Sequence, residues 1–217
     1  MTIYFISGLG ADKRMFKNLS LPPQYSLVYI DWIEPLHEHE PLQSYCQRLA
    51  EGIDSSKDFV LVGLSLGGLA AIEIARFLKP KDIILISSIA TKYELPWTFR
   101  VGRFFKLDQI IPLHLLKTPS ALLTWLFGAK TGEEKSLLKS VLVETTDTFL
   151  KWSVGQILYW NNKIRPEKLY HIHGTADKLL LCWQTKADIK IRGGEHLMVL
   201  SKAGEISSLM EERLKGV

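Results

Sequence analysis

Six short apolar runs punctuate the chain: Ile3 to Ile6, Leu27 to Ile30, Phe59 to Val62, Ile83 to Ile86, Tyr170 to Ile172 and Ile189 to Ile191. They are short and β-rich, and most are apolar throughout, as in strands buried on both faces of a parallel sheet. Between runs the pattern changes period. Pro41 to Ile53 carries Leu42, Tyr45, Cys46, Leu49 and Ile53, and Leu66 to Leu78 closes before Pro80. Both show the three-four spacing of amphipathic helices. Strands alternating with helices imply right-handed crossovers and a mostly parallel sheet with helices on both faces, so the fold class is α/β.

Residues 91–164 break this alternation. They are rich in Leu and aromatics and hold Trp97, Trp125, Trp152 and Trp160. Ser120 to Phe127, Glu133 to Val143 and Thr146 to Trp160 have helical length and spacing, with a turn expected across Gly128 to Gly132. The expected organisation is a core of residues 1–90 and 165–217 with a helical cap, 91–164, inserted over the sheet. Its four tryptophans suggest the roof of an apolar pocket.

At 217 residues, 47% of them hydrophobic and 23% charged, the chain has the composition of one globular unit, which argues against disorder or a coiled coil. A formal charge of +4 with scattered basic residues gives no footprint for nucleic acid. Cys46 and Cys182 stand alone, without zinc-like spacing, so a reducing, cytoplasmic setting is expected. The N-terminus lacks the basic and apolar regions of a signal peptide, and no stretch has the length to span a bilayer.

The sharpest local signal is Gly63-Leu64-Ser65-Leu66-Gly67, between a buried strand and a helix. A serine on so tight a strand-to-helix turn is lifted above the sheet edge, and the flanking glycines relieve the crowding this creates. The helix N-terminus then faces the reacting atom, where the Leu66 amide can stabilise an oxyanion. A serine hydroxyl needs a base, and the base needs an orienting carboxylate. Both follow in order: Asp177 in the loop after the strand ending at His173-Gly174, then His196 just after the last strand.

With Ser65, Asp177 and His196 in that order, the sequence resembles the α/β-hydrolase superfamily over nearly its whole length. The likeness is to compact esterase-like members whose cap follows the third parallel strand after the oxyanion loop. The resemblance implies a sheet shortened at the N-terminus. It also implies that the loop after the first strand, Ser7-Gly8-Leu9-Gly10-Ala11-Asp12, gives the second oxyanion donor, by position the Leu9 amide. Ser7 stands where the family usually has histidine, and Leu64 where many relatives carry a polar residue.

Other groups compete for these roles. His37-Glu38-His39-Glu40 and His171-Ile172-His173 offer paired histidines for a metal, but a third ligand is missing, and a solvated loop and a strand edge are the simpler readings. Asp147 and Glu94 are alternative orienting acids without a strand-end loop, and Glu195 is given no role. Pro96 to Lys106 mixes aromatics with Arg100, Arg103 and Lys106, as an interfacial helix would. A lid packing its aromatics on the core is the favoured account, and no membrane contact is expected. The expectation is a serine hydrolase of a small to medium apolar carboxylic ester, needing no metal or organic cofactor. Thioester, acyl-transfer, C–C cleavage or lyase chemistry on the same triad stays open, as does a non-catalytic small-molecule receptor; the oligomeric state is left open.

Overall fold

The structure, a computed structural model, describes residues 1–106, 117–118 and 120–217. Six strands form one sheet: β1 (Thr2–Ile6), β2 (Ser26–Ile30), β3 (Phe59–Leu64), β4 (Asp82–Ile86), β5 (Leu169–Gly174) and β6 (Ile189–Ile191). Their order is β2-β1-β3-β4-β5-β6 and every pairing is parallel. The central apolar runs became strands because both faces are covered. Ile3 and Phe5 point into one core and Tyr4 and Ile6 into the other; Val60 and Val62 oppose Phe59 and Leu61 in the same way.

On one face lie α1 (Leu42–Leu49) and α2 (Leu66–Ala75). The other is covered by α7 (Met198–Ser201) and α8 (Ala203–Leu214), the latter unforeseen in the sequence. Between β4 and β5 the chain inserts α3 (Trp97–Phe104), α4 (Ala121–Phe127), α5 (Gly132–Glu144) and α6 (Asp147–Tyr159). Cap chemistry sets several of their starts: Ser120, Thr131 and Thr146 each accept from a first-turn amide, and Thr131 with Glu134 forms a capping box.

The α3 segment departs from expectation. Phe99 packs against the core, but Trp97, Phe104 and Phe105 are 58%, 80% and 59% exposed. Among the described residues the fully buried position of this helix is Gly102, and Phe99 is the aromatic it turns inward. Among the described residues no helix is long and apolar enough to cross a membrane.

The order of strands places a topological switch between β1 and β3, whose carboxyl ends lead to neighbouring loops. Ligands of open α/β sheets bind in such a crevice. The loop from Ser7 leaves β1 on one side of it and Ser65 leaves β3 on the other.

Candidate active site

Ser65 follows β3, in which all six residues are buried, and precedes α2. Its backbone stands at φ 51° and ψ −117°, a conformation that side chains other than glycine rarely adopt. Three hydrogen bonds hold it there: Ser65 N donates to Ile86 O at 3.0 Å, and Ser65 O accepts from Gly68 N at 2.9 Å and from Ser88 Oγ at 2.7 Å. The turn is too tight for side chains at the flanking positions. A Cβ on Gly63 would come within 2.4 Å of Gly68 Cα, and one on Gly67 within 2.1 Å of Ile6 O. The G-x-S-x-G spacing is thus the one that lets the elbow pack against β1.

The structure brings His196 and Asp177 to this serine. His196 Nε2 lies 3.0 Å from Ser65 Oγ, and His196 Nδ1 lies 2.8 Å from Asp177 Oδ2. The other carboxylate oxygen accepts from the amides of Leu179 and Leu180, each at 2.9 Å. Asp177 is 4% exposed and His196 2%. Burial is the largest influence on the Asp177 carboxyl and opposes its ionisation. His196, His173 and the Leu180 amide together outweigh it and hold the group below the ordinary carboxylate value. An ionised Asp177 then fixes the imidazole tautomer, with Nδ1–H toward the acid and the Nε2 lone pair toward Oγ.

The loop after β1 reaches the serine from the other side. Gly8 O accepts from Trp32 Nε1 at 2.8 Å and from Ala11 N at 3.0 Å, so this peptide is fixed. A Cβ on Gly8 would sit 3.6 Å from Ser65 Cβ, which measures how near the loop passes. Leu9 lines the same cavity as Ser65 and His196. As the first residue of α2, Leu66 has an amide with no acceptor inside its own helix.

The rival groups lie elsewhere. Asp147 pairs with Lys117 at 2.8 Å, and buried Glu94 accepts from Ala90 N at 3.1 Å. Glu195 is held by Lys178 and, at 3.1 Å, by Lys130. In the 37–40 cluster Glu38 pairs with Lys151, and Glu40 is not solvated but buried, bound by Arg48 at 2.8 Å. Among the described residues no group of three or more His, Cys, Asp or Glu could hold a metal ion.

No protein-family model matches the sequence, and a search of curated proteins found no match. Solved structures do match. A bromoperoxidase from Bacillus anthracis is similar with a TM-score of 0.75 at 14% identity, covering 99% of this chain and 91% of that one. A meta-cleavage product hydrolase from Pseudomonas fluorescens gives 0.70 at 14% identity over 100% and 91%. A lipase-esterase related protein from Clostridium acetobutylicum gives 0.68 at 14% identity over 97% and 93%. The fold is that of the α/β-hydrolases.

Within this fold the space beside Ser65 is a cavity of about 100 Å³ with almost wholly apolar walls. Met15, Phe127, Leu138 and Leu142 shape it, from the segment after β1 and from α4 and α5. None of the four tryptophans expected to roof the pocket is among the described residues lining it. Trp152 is fully buried, stacked near Tyr45 and donating to Glu40 O at 2.8 Å, and Trp160 donates to Glu73 Oε1 at 2.8 Å. Trp97 and Trp125 are more than half exposed, the latter beneath Lys178 in a separate open depression. The buried pair pins the insertion to the core because each indole found an acceptor there, and that buried partner draws the ring away from the pocket. The lining residues lay hidden in the sequence as an ordinary apolar helix face, Leu137, Leu138, Val141 and Leu142.

Proposed function

We propose that the protein is a serine hydrolase acting on carboxylic esters with a small apolar acyl group. The observation that carries this is the unbroken line from Asp177 through His196 to Ser65 Oγ, opening onto an apolar cavity. In this reading His196 takes the Ser65 hydroxyl proton as Oγ attacks the ester carbonyl carbon. The carbonyl electrons move to oxygen, where the amides of Leu66 and Leu9 stabilise the charge. His196 then gives the proton to the departing alcohol, leaving an acyl-Ser65 ester that water hydrolyses by the same steps. Asp177 stays ionised throughout and steadies the imidazolium.

Cavity size supports a short acyl chain, since a protein cavity of about 150 Å³ is what accommodates benzene. Buried free thiols at Cys46 and Cys182 suit the cytoplasmic setting that belongs to this reading. The test is a panel of chromogenic esters of rising acyl length with fluorophosphonate labelling beside it. Turnover best on short chains and labelling at Ser65, both lost in Ser65→Ala, is the expected result. Binding without turnover on every ester and thioester tried, with no labelling, would leave a receptor.

A further inference from the structure

Strand β5 reads Leu-Tyr-His-Ile-His-Gly, and its period of two puts His171 and His173 on one face. Both are fully buried, where an apolar side chain would escape the desolvation that an imidazole suffers. Their polar atoms therefore need a reason; for His173 the neighbours supply it, while His171 Nδ1 has no hydrogen-bond partner among the described residues. His173 Nε2 lies 2.6 Å from the Leu180 carbonyl oxygen and 3.4 Å from Asp177 Oδ2. Both are acceptors, so the ring proton sits on Nε2. Burial, as the largest influence, lowers the pKa of this imidazole, with Asp177 opposing and Lys190 and His196 adding to the effect. The ring is neutral, and its Nδ1 accepts from His171 Nε2 at 3.3 Å.

We infer that His173 is a positioning residue for Ser65 and His196: its Nε2–H, donated to Leu180 O beside Asp177 Oδ2, locks the Asp177–Leu180 turn so that Oδ2 stays aimed at His196. The Leu180 residue is held at both ends, its N–H on Asp177 Oδ1 and its C=O on His173. Rotation of the Asp177 carboxylate would break the first bond, and a flip of the His173 ring would break the second. His171 resists that flip, because a flipped ring would turn a carbon toward its Nε2–H. The bonds thus run from His171 through His173 to the same carboxylate that orients His196, a supporting shell of the kind a precise site requires.

This inference rests on the reading of Ser65 as nucleophile, and the experiment separates the two. His173→Leu removes the donor, while His173→Gln keeps an N–H at similar reach. Turnover is expressed per active site titrated with fluorophosphonate, and proton NMR follows the strongly deshielded His196 Nδ1–H, identified by its loss in His196→Gln. His173→Leu should lower kcat about 10- to 100-fold with little change in KM, and shift or broaden the resonance. His173→Gln should recover most of both. Should His173→Leu not fold, His173→Asn, polar but too short to reach Leu180, takes its place with the same criteria. Normal kcat per titrated site with an unmoved resonance in the donor-free variant overturns the role of His173. A wild-type protein without turnover or labelling overturns the hydrolase reading instead, and the resonance still decides whether His173 holds Asp177.

Discussion

Ser65 occupies a backbone conformation that costs roughly 1–3 kcal/mol, and the bonds from Ser88, Gly68 and Ile86 offset that cost. Strain of this kind persists where the surroundings over-determine it, and here it aims Oγ at His196. Asp177→Asn should keep the fold yet lower ester turnover by up to about 10⁴-fold, because an amide favours the wrong imidazole tautomer. Asp147→Asn, which only breaks an exposed pair with Lys117, should leave steady-state rates unchanged. The buried Ser7 Oγ has no hydrogen-bond partner among the described residues. Removing an unsatisfied buried hydroxyl relieves a penalty of about 1–3 kcal/mol, so Ser7→Ala should unfold at an equal or higher denaturant midpoint. A lower midpoint would show that the hydroxyl is satisfied in solution.

At the scale of elements, α5 decides the pocket. Its Leu138 and Leu142 face Ser65 across the cavity, and helix α6, which carries Trp152, fastens the insertion to α1. Leu142→Trp should therefore shift acyl preference toward the shortest esters while leaving fluorophosphonate labelling intact. Trp152→Ala should instead destabilise the protein by about 3–5 kcal/mol, as large-to-small changes in a core do, without altering the chain-length profile of the folded fraction. Exposed Trp125 should show neither effect when changed to Ala, since its ring lies beneath Lys178 in a surface depression. Kinetics over an ester series and chemical denaturation of the three variants check these outcomes together.

For the molecule as a whole, the buried histidines tie stability to pH. Burial, then the neighbouring His173 imidazole and the Arg165 guanidinium, push the His171 pKa well below its ordinary value near 6.5. A base whose folded pKa is depressed takes up its proton in the unfolded chain first. Stability from this source is therefore full above about pH 6.5 and falls as the pH drops below that value. Melting temperature should decline on acidification from pH 7 to pH 5, and His171→Phe should flatten that decline. A wild-type profile that is level across this window would mean that His171 charges without cost. Lowered Asp177 acts further down: its contribution is present above the unfolded carboxylate pKa of about 3.9 and is lost only in stronger acid.

The strands were legible because burial on both faces writes itself as apolar runs; β3 and β4 fell where Phe59 to Val62 and Ile83 to Ile86 predicted, extended by one or two residues at their ends. Ser65 was legible for a steric reason, since only glycine fits at 63 and 67. Asp177 and His196 were readable as strand-end residues in the right order, although their 2.8 Å contact joins loops 19 residues apart in sequence. Helix α8 went unnoticed because its apolar positions are spread among charged ones and no motif marks it. The tryptophans could not be placed from composition: an indole roofing a pocket and one pinning a cap read alike, and the difference lies in acceptors such as Glu40 O and Glu73 Oε1. By itself the sequence determined the layers of the sheet and the turn that strains Ser65, because these follow from local periodicity and backbone sterics. Only the tertiary structure decided which side chains line the cavity and that His196 meets Ser65, because both depend on contacts between residues far apart along the chain.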